Sequence, residues 1–272
     1  MEGMLKAMID EIFQGGFFQN VADILTKSPT EFSTAWNFIS LVYSNYILPI
    51  GYSLMVIYFL CAVIEKSSIE GFSVEQFFRL LIKLFVAKMI MDNGLTLIKL
   101  MMNLGAQLVA SLVASQSINS AVTDLADHVK ALAAEETNGW GFFECIPFLL
   151  KLFIPWLCTL IIQIVVKFIC YSRLIEIMAR ASLAPIAMSD IIHGGLNSTG
   201  YRYLKSFLAV CLQGVVIFVI AYVFTTISGD LLTADETGNF FDFVIAYLTT
   251  GFAALALIVR SLGFAKEMVG AN

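Results

Sequence analysis

The sequence predicts an all-α polytopic membrane protein with five transmembrane helices, flanked by amphipathic interfacial helices. Two bulk figures point there. Of 272 residues, 59% are hydrophobic and only 14% charged, and the mean hydropathy is +0.84. A soluble domain carries about 25% charged residues because it must cover its surface with polar groups. Here 16 bases and 21 acids are too few for that. A soluble enzyme, a nucleic-acid-binding domain and a disordered linker are all excluded. The third observation is spacing: the charges leave gaps long enough to cross a bilayer, which needs about 20 apolar residues.

The gaps place the spans. There are 33 uncharged residues between Glu31 and Glu65, and 38–64 is the first span. Between Lys99 and Asp124 there are 24, which fits 95–115 with Lys99 near one end. Only 15 separate Lys151 from Lys167, but lysines snorkel to opposite interfaces, so 146–170 is the third span. The 24 residues between Lys205 and Asp230 hold the fourth, 207–227, and the 17 between Asp242 and Arg260 hold a short fifth, 243–259.

Five spans put the termini on opposite sides, and basic residues stay inside. The segments 1–37, Asp124–Glu144 and Asp230–Asp242 together hold 14 acids and 3 bases. The remaining loops and the tail hold 7 acids and 11 bases. The expected topology is therefore N-outside and C-inside. Residues 1–37 form an extracytoplasmic amphipathic region and 38–272 the membrane domain. No cleavable signal peptide is expected, since Glu2, Asp10 and Glu11 interrupt any apolar start.

Two segments are amphipathic but too polar to span. Leu5, Met8, Ile9, Ile12 and Phe13 follow helical spacing, and after Gly15 and Gly16 the stripe resumes with Phe17, Phe18, Val21, Ile24 and Leu25. Its polar face is acidic, which suits protein better than anionic lipid, although a membrane-surface position remains open. The second segment is a cytoplasmic helix over 74–91. Phe77, Phe78, Leu81, Leu84 and Phe85 make its stripe, and Glu75, Arg79 and Lys83 line the other face. A single helix over 74–113 would be about 60 Å long, twice the hydrocarbon thickness. A break is expected at Gly94, with 74–91 at the inner interface and the chain then turning up into span two. Both stripes fall outside the spans, and both are expected to meet partners.

Polar side chains within spans need partners there. Asn45 in span one (beside Pro49), Gln107 in span two, Gln163 in span three and Gln213 in span four are expected to face other helices or a water-filled path. Pro155 and Pro185 are expected hinges or corners, as are Gly194 and Gly195 in the inner turn. No acidic residue falls in the middle of a span, which argues against a proton-coupled or cation-coupled transporter.

No catalytic signature accompanies these features. Phosphate-loop, zinc-helix and nucleophile-elbow patterns are absent from the sequence. The five cysteines form no C-x-x-C pair, and the two histidines, His128 and His193, are far apart. The sequence therefore implies no enzyme, metal or cofactor, and Asp190 near His193 reads as a helix-end hydrogen bond. Any energy must come from another subunit.

The inner segment 171–206, a basic hairpin, is the most informative. Span three is expected to continue as a helix through Arg173, Glu176 and Arg180, one acid between two bases on one face. Pro185 then stops or kinks it. Ala184-Pro185-Ile186-Ala187, a Gly-rich turn, Tyr201-Arg202-Tyr203-Leu204-Lys205-Ser206-Phe207 and a span opening with Leu208-Ala209-Val210-Cys211-Leu212-Gln213-Gly214 follow. This pattern resembles the TrbL-type conjugal transfer proteins, polytopic channel subunits of type IV secretion systems. It is sharpest over Arg173–Thr226, and the chain lacks the long C-terminal extension of some members.

The resemblance implies a homo-oligomeric component of a DNA or protein secretion channel in the bacterial cytoplasmic membrane. Its partners would be membrane lipid, a scaffold protein, a secretion ATPase and a coupling ATPase, with a single-stranded DNA–protein substrate in transit. A phosphate backbone needs cations along its route, so Arg79, Lys83, Arg173, Arg180, Arg202 and Lys205 are candidate partner or strand contacts, with Glu176 beside them. Their other reading is simple retention of inner loops. The main rival function is the membrane subunit of a small-solute transporter, which predicts internal repeats that the sequence does not show. A pore-forming holin is a second rival, for which five spans and ordered basic helices are unusual.

Overall fold

The computed structural model describes residues 16–69, 73–114, 131, 145–191, 197–234 and 240–271. Regular structure among the described residues is helical throughout. In order these are α1 (Gly16–Thr26), a 3-10 turn (Pro29–Glu31), α2 (Ser33–Leu41), a π-turn (Val42–Ile47), α3 (Leu48–Ile69), α4 (Val74–Asp92), α5 (Gly94–Val113), α6 (Cys145–Met188), α7 (Thr199–Ala234) and α8 (Phe240–Val269). Five stretches are long and apolar enough to cross a membrane: Ser33–Ser67, Gly94–Val113, Leu150–Met188, Thr199–Asp230 and Phe241–Val269. Each overlaps one span expected from the charge gaps.

Several helices extend past the gaps because charge ends an apolar run without ending a helix. α6 carries Arg173, Glu176 and Arg180 straight on from its apolar part. Its 44 residues rise about 66 Å, twice the ~30 Å of hydrocarbon. Pro155 lies inside α6, and Pro185 does not stop it: the helix ends one turn later, at Met188, and the Ser189 N–H bonds the Pro185 carbonyl at 3.1 Å. Pro185 removes one bond, the one its N–H would give the Ala181 carbonyl, and the last turn forms around that loss.

Span one passes Pro49 by changing register. The Leu48 N–H bonds the Tyr43 carbonyl, five residues back. Pro49 has no N–H to offer the Asn45 carbonyl, and the wider π-turn makes room for its ring. The break expected near Gly94 is present: α4 ends at Asp92, Asn93 is the turn residue, and α5 begins at Gly94. Tyr43 donates to the Met91 carbonyl at 3.1 Å, satisfying an oxygen freed at the end of α4. A side chain at Gly94 would run into the Tyr43 ring, so the break has glycine where the two helices touch.

The described helices form two compact units. One comprises Met1–Thr26, Gln107–Tyr171 and Gly214–Ser261. Within it Phe148 meets Phe241 edge-on at 5.1 Å, and Phe224 packs on Tyr247 at 5.3 Å. Val21, Ala22, Ile24 and Leu25 of α1 are buried. Val21, Ile24 and Leu25 of the N-terminal stripe are thus covered by their own chain rather than left for a partner. The first half, Leu5–Phe13, lies outside the described residues.

The other unit comprises Lys27–Ala106, Ser172–Gln213 and Leu262–Asn272. Its core includes Trp36, Tyr43, Met91, Met102, Met188 and Phe207. At the N-terminal end of span one, Ser28 donates to the Asn103 side chain at 2.9 Å, and the Lys99 ammonium sits 5.5 Å from the Trp36 ring centre. The expected α4 stripe is corrected here. Leu80, Ala87 and Met91 face the core, while Phe78 and Phe85 point outward, 59% and 65% exposed. At 100° per residue these two phenylalanines lie nearly opposite Leu80 and Ala87. A helix apolar on two sides shows no single face to periodicity.

Candidate functional site

The hairpin expected over 171–206 is built by α6 and α7 lying antiparallel. Their register is fixed by four hydrogen bonds between them. Arg173 donates from Nε to the Val210 carbonyl at 3.0 Å and from Nη2 to the Cys211 carbonyl at 2.7 Å. Two turns further on, Arg180 pairs with Glu176 at 2.5 Å and donates to Ser206 Oγ at 2.9 Å. The Tyr203 hydroxyl donates to the Arg180 carbonyl. Val210 and Cys211 lie inside α7, so their carbonyls use a second lone pair for Arg173.

This separates the expected cations into two groups. Arg173 is only 5% exposed and is held by backbone oxygens. Arg180 and Glu176 are half-buried and tied to one another. Arg202 is exposed, and Lys205 lies over the Tyr201 ring at 4.9 Å. Lys205 also approaches Gly270, where α8 ends in a left-handed turn with the Ala271 N–H on the Lys266 carbonyl. A cation suits the carbonyl end of a helix. On α4, Lys83 is exposed, and Arg79 is exposed but bonded to Glu75 at 2.7 Å. Arg202 and Lys83 are therefore the candidates whose charge faces outward.

The turn is closed by its own polar groups. Ser198 Oγ accepts from the Tyr201 N–H at 3.2 Å, and Asp190 accepts from the Thr199 N–H at 2.9 Å. Both satisfy N–H groups at the start of α7, where a carboxylate also suits the helix dipole. A side chain at Gly200 would press on Ile191 and the Ala187 carbonyl. Gly200 is thus the glycine that lets the two helices meet, a role the sequence pattern did not single out. Gly194, Gly195 and His193 lie outside the described residues.

The four in-span amides divide as well. Gln213 is buried, and Gln163 lines a mostly apolar crevice with Thr159, Phe224 and Tyr247. Asn45 and Gln107 face outward from the chain. Gly105 has a contact that sequence reading missed. A side chain there would overlap the Cys211 carbonyl, so α5 rests directly on the α7 backbone beside the Arg173 hydrogen bonds. An isolated glycine in an apolar helix gives no signal of which backbone it touches.

Residues 17–185 match the family model described as TrbL/VirB6 plasmid conjugal transfer like protein. That is more than half of the chain. The chain belongs to the TrbL/VirB6 family. As a TrbL/VirB6 member it is a multi-pass membrane component of a conjugal transfer system. The match takes in the first three spans, α4 and the α6 helix as far as Pro185. It overlaps the stretch that carried the resemblance, Arg173–Thr226, over Arg173–Pro185. No curated protein and no solved structure matches the chain.

Proposed function

We propose that this TrbL/VirB6 protein is a non-catalytic subunit of a type IV secretion channel in the bacterial cytoplasmic membrane. Several copies surround the translocation path, and the inner basic hairpin docks the cytoplasmic ATPases. The observation that carries this reading is the family match over residues 17–185, taken with five apolar helices of spanning length. The charge bias of the loops supports an N-outside, C-inside orientation. Outward-facing Gln107 supports assembly, because an amide at bilayer depth is stabilised by a partner.

Arg202 supports the docking role through its outward charge, and Lys205 stands three residues along the same helix. Arg173 contributes differently, holding α6 against α7 so that the hairpin is rigid. The test is co-isolation from detergent-solubilised donor membranes. The wild-type chain should bring down the secretion ATPase, and Arg202→Glu with Lys205→Glu should lose it while remaining in the membrane. Retention of the ATPase by that variant would remove the hairpin from the docking surface.

A further inference from the structure

One patch on the surface of span one does not fit a lipid-facing wall. Tyr52 of α3 donates its hydroxyl to the Asp92 carboxylate at the end of α4. Gly51 and Met91 touch beside it, since a side chain on Gly51 would come within 2.6 Å of Met91. The end of α4 therefore lies alongside the middle of span one rather than beneath its inner end. Span one runs Ser33–Ser67. Any stretch of about 20 residues taken from it, the length that crosses the hydrocarbon, includes Leu48–Tyr52. Wherever the bilayer sits along this helix, Asp92 is at hydrocarbon depth or at its edge.

That level carries two further departures from a lipid-facing surface. Both neighbouring helices are irregular there: span one has its π-turn at Val42–Ile47, and α4 gives way to α5 at Asn93. Single π-turns inside α-helices are frequent at functional sites. Among the outward side chains nearby, Asn45, Asp92, Asn93 and Thr96 are polar and exposed, with Lys88 one turn before Asp92, while Tyr46, Ile50 and Met89 are the exposed apolar ones. The Tyr52 hydroxyl occupies one acceptor site of a carboxylate that has about four. Water supplies the remaining donors without requiring a matching cation from a neighbour.

We infer that the junction formed by the span-one π-turn, Asp92 and Thr96 lines a hydrated path through the membrane. This rests on the channel reading above and names the face of the subunit that the path follows. It places an acidic group at a depth where the sequence, read span by span, shows none.

Cysteine accessibility tests it. Asn45→Cys and Thr96→Cys are compared with Ile50→Cys, an exposed apolar site of span one two residues from Tyr52 and so at nearly the depth of Asp92. Each is added to the wild-type chain, and labelling by a charged, membrane-impermeant maleimide is measured above the wild-type background in native membranes. A thiol in apolar surroundings is held protonated and reacts slowly, so the two polar sites should label about tenfold faster than Ile50→Cys, or more. Equal labelling at all three sites would show only that this depth is wet on every side, and would overturn the inference. So would background labelling at both polar sites, including the case where Thr96→Cys is instead oxidised to a dimer by a second copy. Conjugal transfer by the same strains reads the channel function separately, so the path can fail while the function stands.

Discussion

The Arg173 guanidinium lies 2.7 Å from the Cys211 carbonyl, a buried cation held by the backbone of the neighbouring helix. Hydrogen bonds involving a charged group contribute about 1.5–3 kcal/mol each. Arg173→Ala should therefore lower the thermal midpoint of the detergent-solubilised protein strongly. Arg173→Lys should recover only part of it, because an ammonium is a point charge and cannot present two N–H groups in a fixed fork. Thermal unfolding of both variants checks this, and full recovery by lysine would show that charge alone matters.

Gly105 and Gly229 give opposite expectations for the same substitution. A methyl at Gly105 would overlap the Cys211 carbonyl, whereas nothing lies within 4 Å of the position a methyl would take at Gly229. Gly105→Ala should cost about 1–3 kcal/mol through displacement of a helix backbone. Gly229→Ala should be neutral or stabilise by up to about 1 kcal/mol, since glycine is the poorer helix former. Paired melting curves decide it, and a loss at Gly229 equal to that at Gly105 would contradict the packing described.

The N-terminal helix should behave as core rather than as a free arm. Leu25 is 1% exposed, and Leu25→Ala should cost about 2–5 kcal/mol. The measurement is the stability of the purified chain. A variant with wild-type stability but reduced association of copies would return this helix to the partner role expected from its sequence.

The Glu176–Arg180 pair should matter little by charge alone. Both side chains are about one-third exposed, and exposed pairs contribute about 0–1 kcal/mol. Glu176→Gln should shift the melting midpoint by less than Arg180→Ala, which also removes the hydrogen bond to Ser206. A larger loss at Glu176 would mean that its carboxylate does more than neutralise Arg180.

Much of the fold was legible because lipid imposes a coarse rule. Uncharged runs of sufficient length become spans, and each of the five falls in a helix long and apolar enough to cross. The break at Gly94 was legible too, from a polar Asp92-Asn93 pair before a glycine. What stayed hidden depends on neighbours. Phe78 and Phe77 are adjacent and equally apolar, and only the position of span one decides that Phe78 faces out. Arg173 reads in the sequence as one of a row of inner cations, yet it is buried because α7 passes with two carbonyls in reach. Asp92 reads in the sequence as one of the polar pair before Gly94, and its contact with Tyr52, 40 residues earlier, is not visible there. Hydrophobic periodicity assigns a face to a helix but not the residue across from it.

The central claim is that this membrane protein is required for conjugal transfer as part of the channel. The direct measurement is the transfer frequency from donor cells in which the chain is deleted and then restored in trans. Transfer should fall to background on deletion and return with the wild-type chain, while substrate processing in the donor is unchanged. Undiminished transfer from the deletion donor would contradict the account.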